Sequence, residues 1–202
     1  MVLSVERILH VDASQRKRGS VSRALSRLLL DELLAKYPDA RVVRRDLADG
    51  MPLVDDRWIE ANDTPSDARS EGQRAALAFS DELVEELRTT DLWVIGTPVY
   101  NFGIPPVLKA WVDQICRARV TFAYSEQGAR GLLHDRKVFI TIASGGSRIG
   151  SPTEFLTPYL RHVLAFVGIR DVEIIAADQL LLAGEEKVAQ AQAQVKAAVT
   201  GL

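Results

Sequence analysis

The chain has 202 residues, a net charge of −2 and a single cysteine, Cys116. That length suits one domain with a real core; the charge gives no reason to expect nucleic acid or a membrane surface as partner, and no apolar run approaches the roughly 20 residues that span a bilayer. One thiol excludes an internal disulfide and argues against a cysteine-rich metal site, and the N-terminal Met-Val-Leu-Ser-Val-Glu-Arg lacks a secretion-signal layout, so the expected location is cytoplasmic.

Ile8–Ala13 is apolar and β-prone, a first strand. Leu25, Leu28, Leu29 and Leu33 recur at helical spacing through Ser22–Tyr37. Arg41–Leu47 alternates valine with arginine, a second strand at a sheet edge, where charge is tolerated. Residues 48–69 hold Asp, Pro, Asn and Gly with Trp58 and Ile59 as apolar anchors, a long surface excursion of the kind that tends to be functional. Ser70-Glu-Gly-Gln73 is a capping-box pattern opening a helix over Gln73–Arg88. Leu92–Pro98 is the third strand, and Pro105 and Pro106 suit the first turn of a helix to Cys116. Lys137–Ala143 is the fourth strand. Ser151-Pro-Thr-Glu154 reads as a helix start capped by Ser151, which Pro158 kinks or restarts with Thr157 as cap. Val172–Ala177 is the fifth strand, and Gly184–Val199 a terminal helix. Strands alternating with helices pair in parallel through right-handed crossovers. The expectation is a single α/β domain over 1–202, a three-layer α/β/α sandwich with a five-stranded parallel sheet of order 2-1-3-4-5.

In such a sheet the loops after strands one, three and four meet at the carboxyl edge, where ligands bind. After strand one, Ser14-Gln-Arg-Lys-Arg-Gly-Ser-Val-Ser22 places Ser20 and Ser22 at a helix start, where unpaired N–H groups point outward. Ser14, Ser20, Val21 and Ser22 form a candidate phosphate cradle, with neither G-x-x-x-x-G-K-[ST] nor G-x-G-x-x-G present. After strand three, Pro98-Val99-Tyr100-Asn101-Phe102 offers backbone for the edge of a planar heterocycle, an amide that donates and accepts, and aromatic walls. After strand four, Ser144-Gly145-Gly146-Ser147 lets backbone approach a ligand closely and supplies hydroxyl donors. Taken singly, each loop has a plainer reading, as a capped helix start, a proline-rich turn or a flexible turn. Their coincidence at one edge favours one shared ligand, and the aromatic and amide content suits a flavin.

Tyr100-Asn101-Phe102 with Leu108-Lys109, Val120-Thr-Phe-Ala-Tyr124 with Gly128 and Gly131-Leu132, Thr157-Pro-Tyr-Leu160 and Phe166-Val-Gly-Ile169 together resemble the FMN-dependent NADH azoreductases, relatives of flavodoxin-like quinone reductases, nearly end to end. The resemblance implies a flavodoxin-like fold, non-covalent FMN, NADH or NADPH as electron donor, a quinone or azo acceptor, and a homodimer with the site near its interface. It places the FMN phosphate and ribityl chain at Ser14 and Ser20–Ser22, the ring beside Val99–Phe102, and the pyrimidine end at Ser144–Ser147. It also puts Tyr124 near the flavin, where with Phe102 it would shape a substrate pocket. Trp58, on the excursion, reads first as a packing residue and second as a candidate for that pocket or the dimer contact. The Ser-Gly-Gly-Ser loop and the basic Arg16-Lys-Arg18 depart from the family pattern and bear on substrate and nicotinamide preference. Two-electron ping-pong transfer through the flavin needs no dedicated acid or base, and none is assigned. His10, His134 and His162 have no ligand spacing, and Cys116 reads as a small buried hydrophobe. A flavodoxin-like electron carrier and a flavin-binding regulatory protein with little turnover are the alternatives; carriers are typically strongly acidic, which a charge of −2 is not.

Overall fold

In the computed structural model, which describes residues 4–202, the five expected strands pair into one parallel sheet. They are β1 (Arg7–Asp12), β2 (Arg41–Asp46), β3 (Leu92–Pro98), β6 (Lys137–Ala143) and β7 (Val172–Ala177), with a hairpin of β4 (Phe122–Ser125) and β5 (Gly128–Gly131) inserted between the third and fourth. The sheet order β2-β1-β3-β6-β7 is therefore the expected 2-1-3-4-5, renumbered by the hairpin. Residues Met1–Leu3 of the N-terminal stretch lie outside the described residues.

Successive strand side chains point to opposite faces, and each face is covered by helices, so the central strands are apolar throughout rather than alternating. Ile8, Val94 and Phe139 pack under α1 (Val21–Lys36) and α6 (Leu180–Thr200), against Leu25, Leu29, Leu33 and Val195. Leu9, Trp93, Ile95 and Ile140 pack under α3 (Glu71–Thr89), α4 (Pro106–Ile115) and α5 (Leu156–Val167), against Leu87, Leu108, Trp111 and Leu164. On the edge strand β2, Arg45 is held by an ion pair, bonding Glu82 and Glu86 of α3.

Several boundaries move for physical reasons. The Ser70/Gln73 capping box forms reciprocally, and α3 starts two residues before Gln73, directly after its cap. The 48–69 excursion contains a helix, α2 (Asp56–Asp63), whose first turn is capped by Asp55 accepting from the Trp58 N–H at 2.9 Å. Ser151 does not cap a helix. Residues 151–155 turn, and α5 begins at Leu156 because Glu154 accepts from the Thr157 N–H at 2.6 Å and from the Gly150 N–H at 3.3 Å. Pro158 is then the third helical residue, where a missing N–H costs nothing, and α5 runs on without a kink. The terminal helix starts at Leu180, earlier than Gly184, and is broken at Ala183, where φ is −145°.

Candidate functional site

The three loops converge on a cleft of about 450 Å³ at the carboxyl edge of the sheet. Its floor follows from strand pairing. Ala13 donates to the Gly96 carbonyl, Val99 to Ala143 and Ser144 to Ala177, all at 2.8–3.0 Å, so the strand ends stay in register past their last paired residues.

On one side stands a triangle of hydroxyls. Ser20, the α1 cap, accepts from the Arg23 N–H at 3.4 Å. Its Oγ lies 3.1 Å from Ser14 Oγ and 3.2 Å from Ser22 Oγ. Gly19 makes the turn into the helix at φ 66°, with open space where a Cβ would stand. Of the residues lining the cleft, Arg16 alone is charged, and no carboxylate faces it. That donor set, together with the partial positive charge of a helix N-terminus, fits the phosphate of FMN.

On the opposite side, Tyr100 and Gly103 exchange two backbone hydrogen bonds of 3.0 Å, closing a two-residue turn over Asn101 and Phe102. Both central residues have positive φ, 46° and 73°, the signature of a type I′ turn. The turn is pinned from outside, since the Phe155 N–H donates to the Phe102 carbonyl at 2.9 Å. The third wall is Ser144–Gly145, held by the start of α6: Leu180 donates to the Ser144 carbonyl and Leu181 to the Gly145 carbonyl, each at 3.0 Å.

The structure thus brings together Ser14, Ser20, Val21 and Ser22 from the first loop, Pro98, Val99 and Tyr100 from the second, and Ser144 and Gly145 from the third. Asn101 and Phe102 form the exposed tip of the turn and do not line the cleft itself. Gly146 and Ser147 also lie beyond the lining. Tyr124, on the inserted hairpin, is 76% exposed and stacks edge-on against Phe122. Trp58 does not line this cleft: it is buried on α2 against Ala61 and Leu77, with Arg117 5.7 Å from its ring. Sequence reasoning tied Arg16 to substrate and nicotinamide preference rather than to the cradle, and left Gly19, Ala143 and Leu180 without a role. Leu180 was legible in principle, because an apolar Leu180-Leu-Leu run directly after a fifth strand must pack or bind somewhere.

The titratable groups set aside earlier sit apart from the cleft. Burial pushes the Cys116 thiol up to about 12, with Asp113 adding to it, the direction that disfavours the nucleophilic thiolate. His10 is buried in β1, whereas His134 and His162 are exposed. Among the described residues no group of three or more His, Cys, Asp and Glu is placed to hold a metal ion, and no helix is long and apolar enough to cross a membrane.

Comparison with known proteins agrees with this geometry. The profile of a family described by its flavodoxin-like fold matches residues 6–200. A protein of Thiobacillus denitrificans named FMN-dependent NADH:quinone oxidoreductase is 54% identical over 179 residues, covering 89% of this chain and 87% of its own. One of Hahella chejuensis, FMN-dependent NADH:quinone oxidoreductase 1, is 46% identical over 96% of this chain and 95% of its own. Among solved structures, an FMN-dependent NADH-azoreductase of Bacillus anthracis in complex with FMN superposes with a TM-score of 0.87 at 26% identity, over 96% of this chain and 98% of that one.

Proposed function

We propose, for a chain that belongs to the family of the FMN-dependent NADH:quinone oxidoreductases within the flavodoxin-like fold, that it is itself an FMN-dependent enzyme passing two electrons from NADH to quinones or azo compounds. The single observation that most supports this is the cleft in which three separate loops supply a hydroxyl triangle, a cation and the Tyr100 ring without one carboxylate.

Bound FMN supplies the redox chemistry, accepting and releasing a pair of electrons with a proton. The chain supplies position. The Ser14, Ser20 and Ser22 hydroxyls and the first N–H groups of α1 hold the phosphate, and Arg16 offsets its charge. Hydrogen bonds to a charged partner contribute about 1.5–3 kcal/mol each, against about 0.3–1 kcal/mol for the helix dipole, so the donors carry the affinity. The backbone of Val99–Phe102 would run along one edge of the ring. Ser144–Ser147 would supply N–H donors toward its pyrimidine end, Ser144 and Gly145 from within the cleft. Phe102 and Tyr124 edge the space for donor and acceptor.

Nicotinamide and acceptor occupy that space in turn, which makes the kinetics ping-pong. The chain acts as a cytoplasmic homodimer. In support, Phe102 and Phe155 are exposed beside one another, and Phe155 lines an apolar depression of about 490 Å³ with Ile104, Pro158 and Tyr159. NADPH is the alternative donor.

The test is direct. Apoprotein titrated with FMN is expected to gain a protein-bound flavin spectrum that NADH alone bleaches under anaerobic conditions. Initial rates with a quinone should give parallel double-reciprocal lines. Protein that never takes up the dye, or that turns over no faster than free FMN, would end this reading. Intersecting lines would end the ping-pong part alone, and sedimentation as a monomer the dimer.

A further inference from the structure

Beneath the hydroxyl triangle lies an ion cluster that the proposed chemistry leaves unused. Arg23 is the third residue of α1, and its guanidinium is fully engaged. Nε and Nη2 both donate to the Ser14 carbonyl, at 3.1 and 2.6 Å. Nη1 and Nη2 donate to the two carboxylate oxygens of Asp46 at the end of β2, at 2.8 and 2.6 Å. Asp12 Oδ2, at the end of β1, is 3.6 Å from Nη1. Asp12 is fixed in turn. Its Oδ1 accepts from Ser26 Oγ at 2.8 Å, and Gly96 of β3 lies so close that a Cβ there would meet that oxygen at 2.7 Å.

Two physical features bear on what this cluster does. First, a fork that binds one carbonyl and both oxygens of one carboxylate fixes an orientation, which a lysine ammonium cannot do. The group it orients is the Ser14 carbonyl, and Ser14 Oγ is one vertex of the hydroxyl triangle. Second, one guanidinium faces two carboxylates, so the cluster presents no surplus positive charge to a phosphate. Its effect on the ligand must be geometric.

We propose that Arg23 is a positioning residue for the phosphate end of the cofactor: held by Asp46, it clasps the Ser14 carbonyl and so sets the height and spacing of the Ser14, Ser20 and Ser22 hydroxyls. This rests on the FMN reading above.

The sign of one substitution separates geometry from field. Asp46→Asn removes a negative charge near the phosphate, so a purely electrostatic role predicts tighter FMN binding. Loss of the fixture predicts weaker binding. The experiment is fluorescence titration of the full-length apoprotein with FMN and, separately, riboflavin, which lacks the phosphate, for the wild type, R23K and D46N. Thermal melting of each apoprotein reports its fold. We expect the FMN dissociation constant to rise about tenfold in both variants, the size of one lost hydrogen bond to a charged group. Riboflavin affinity should stay within about twofold, because the ring-binding loops are untouched. Equal weakening of both flavins, tighter FMN binding by D46N, or unchanged FMN binding by R23K overturns the positioning role. Wild-type protein that binds neither flavin overturns the cofactor reading instead, and the inference with it.

Discussion

At the level of single residues, Phe102 is the most unusual. A φ of 73° costs an ordinary L-residue about 1–2 kcal/mol, and bulky side chains rarely adopt it; Asn101, one position earlier, is a residue type that tolerates the left-handed region. The turn holds because its two ends exchange hydrogen bonds and Phe155 secures the tip. Glycine is normally worse than alanine in a folded segment by about 0.5–1 kcal/mol. At this position the order inverts, so F102G is expected to be more stable than F102A by about 1 kcal/mol in urea unfolding of the apoprotein. The opposite ranking would mean the turn relaxes without its strained conformer. The sequence singles out this turn by residue type but carries no sign of its conformation. Tyr-Asn-Phe announces aromatic and amide chemistry, whereas the backbone conformation that presents it leaves no trace in residue type at Phe102. Arg23 illustrates the converse, since an arginine in the first turn of a helix reads as a solvated charge, and only the fold reveals its partners.

At the level of elements, the sheet was readable because its strands are short apolar runs between capped helices, a pattern that burial on both faces imposes. The β4–β5 hairpin was not. Its strands have four residues each, it is largely exposed, and glycines at both ends of β5 replace the apolar alternation that marks a strand. It is held by the Phe122 ring packed on Phe166 of α5 and by close approach of the two backbones. A Cβ on Gly131 would stand 2.2 Å from the Gly168 nitrogen, and one on Gly168, itself at φ 116°, would stand 2.4 Å from the Leu133 carbonyl oxygen. Neither obstacle is a flexible side-chain tip. G131A should therefore cost about 3 kcal/mol in urea-unfolding free energy, and a change below about 1 kcal/mol would show that the hairpin can lift away from α5 freely. The helix α2 was missed for a related reason, since eight mostly polar residues cannot show a convincing amphipathic period. The Ser151 cap failed because the acidic residue that ends the motif does the capping itself.

For the whole molecule, acid sensitivity follows from the charges buried under the site. Burial pushes the His10 imidazole below its usual value of about 6.5, outweighing the upward pull of Asp12 3.5 Å away, and Arg44, Arg27 and Arg23 push it the same way as burial. The unfolded chain then binds a proton that the folded one refuses, so stability present above about pH 6.5 is lost as the pH falls below it. Asp46 acts in the same direction at lower pH. The Arg23 guanidinium holds its carboxyl below the usual range, and the stability this adds fades as the pH drops through that lowered value. The melting temperature of the apoprotein is expected to fall between pH 7 and pH 5, and H10Q to flatten that slope. An equal slope in H10Q would place the titration elsewhere.

A cleft lined by hydroxyls and one arginine, with no acidic wall, has no means of telling the tail of a nucleotide from a free oxyanion of similar shape. Inorganic phosphate or sulfate in a purification buffer is therefore a competitor for the same vertices. The occupancy seen after reconstitution should track the buffer salt, higher in chloride than in phosphate at equal ionic strength.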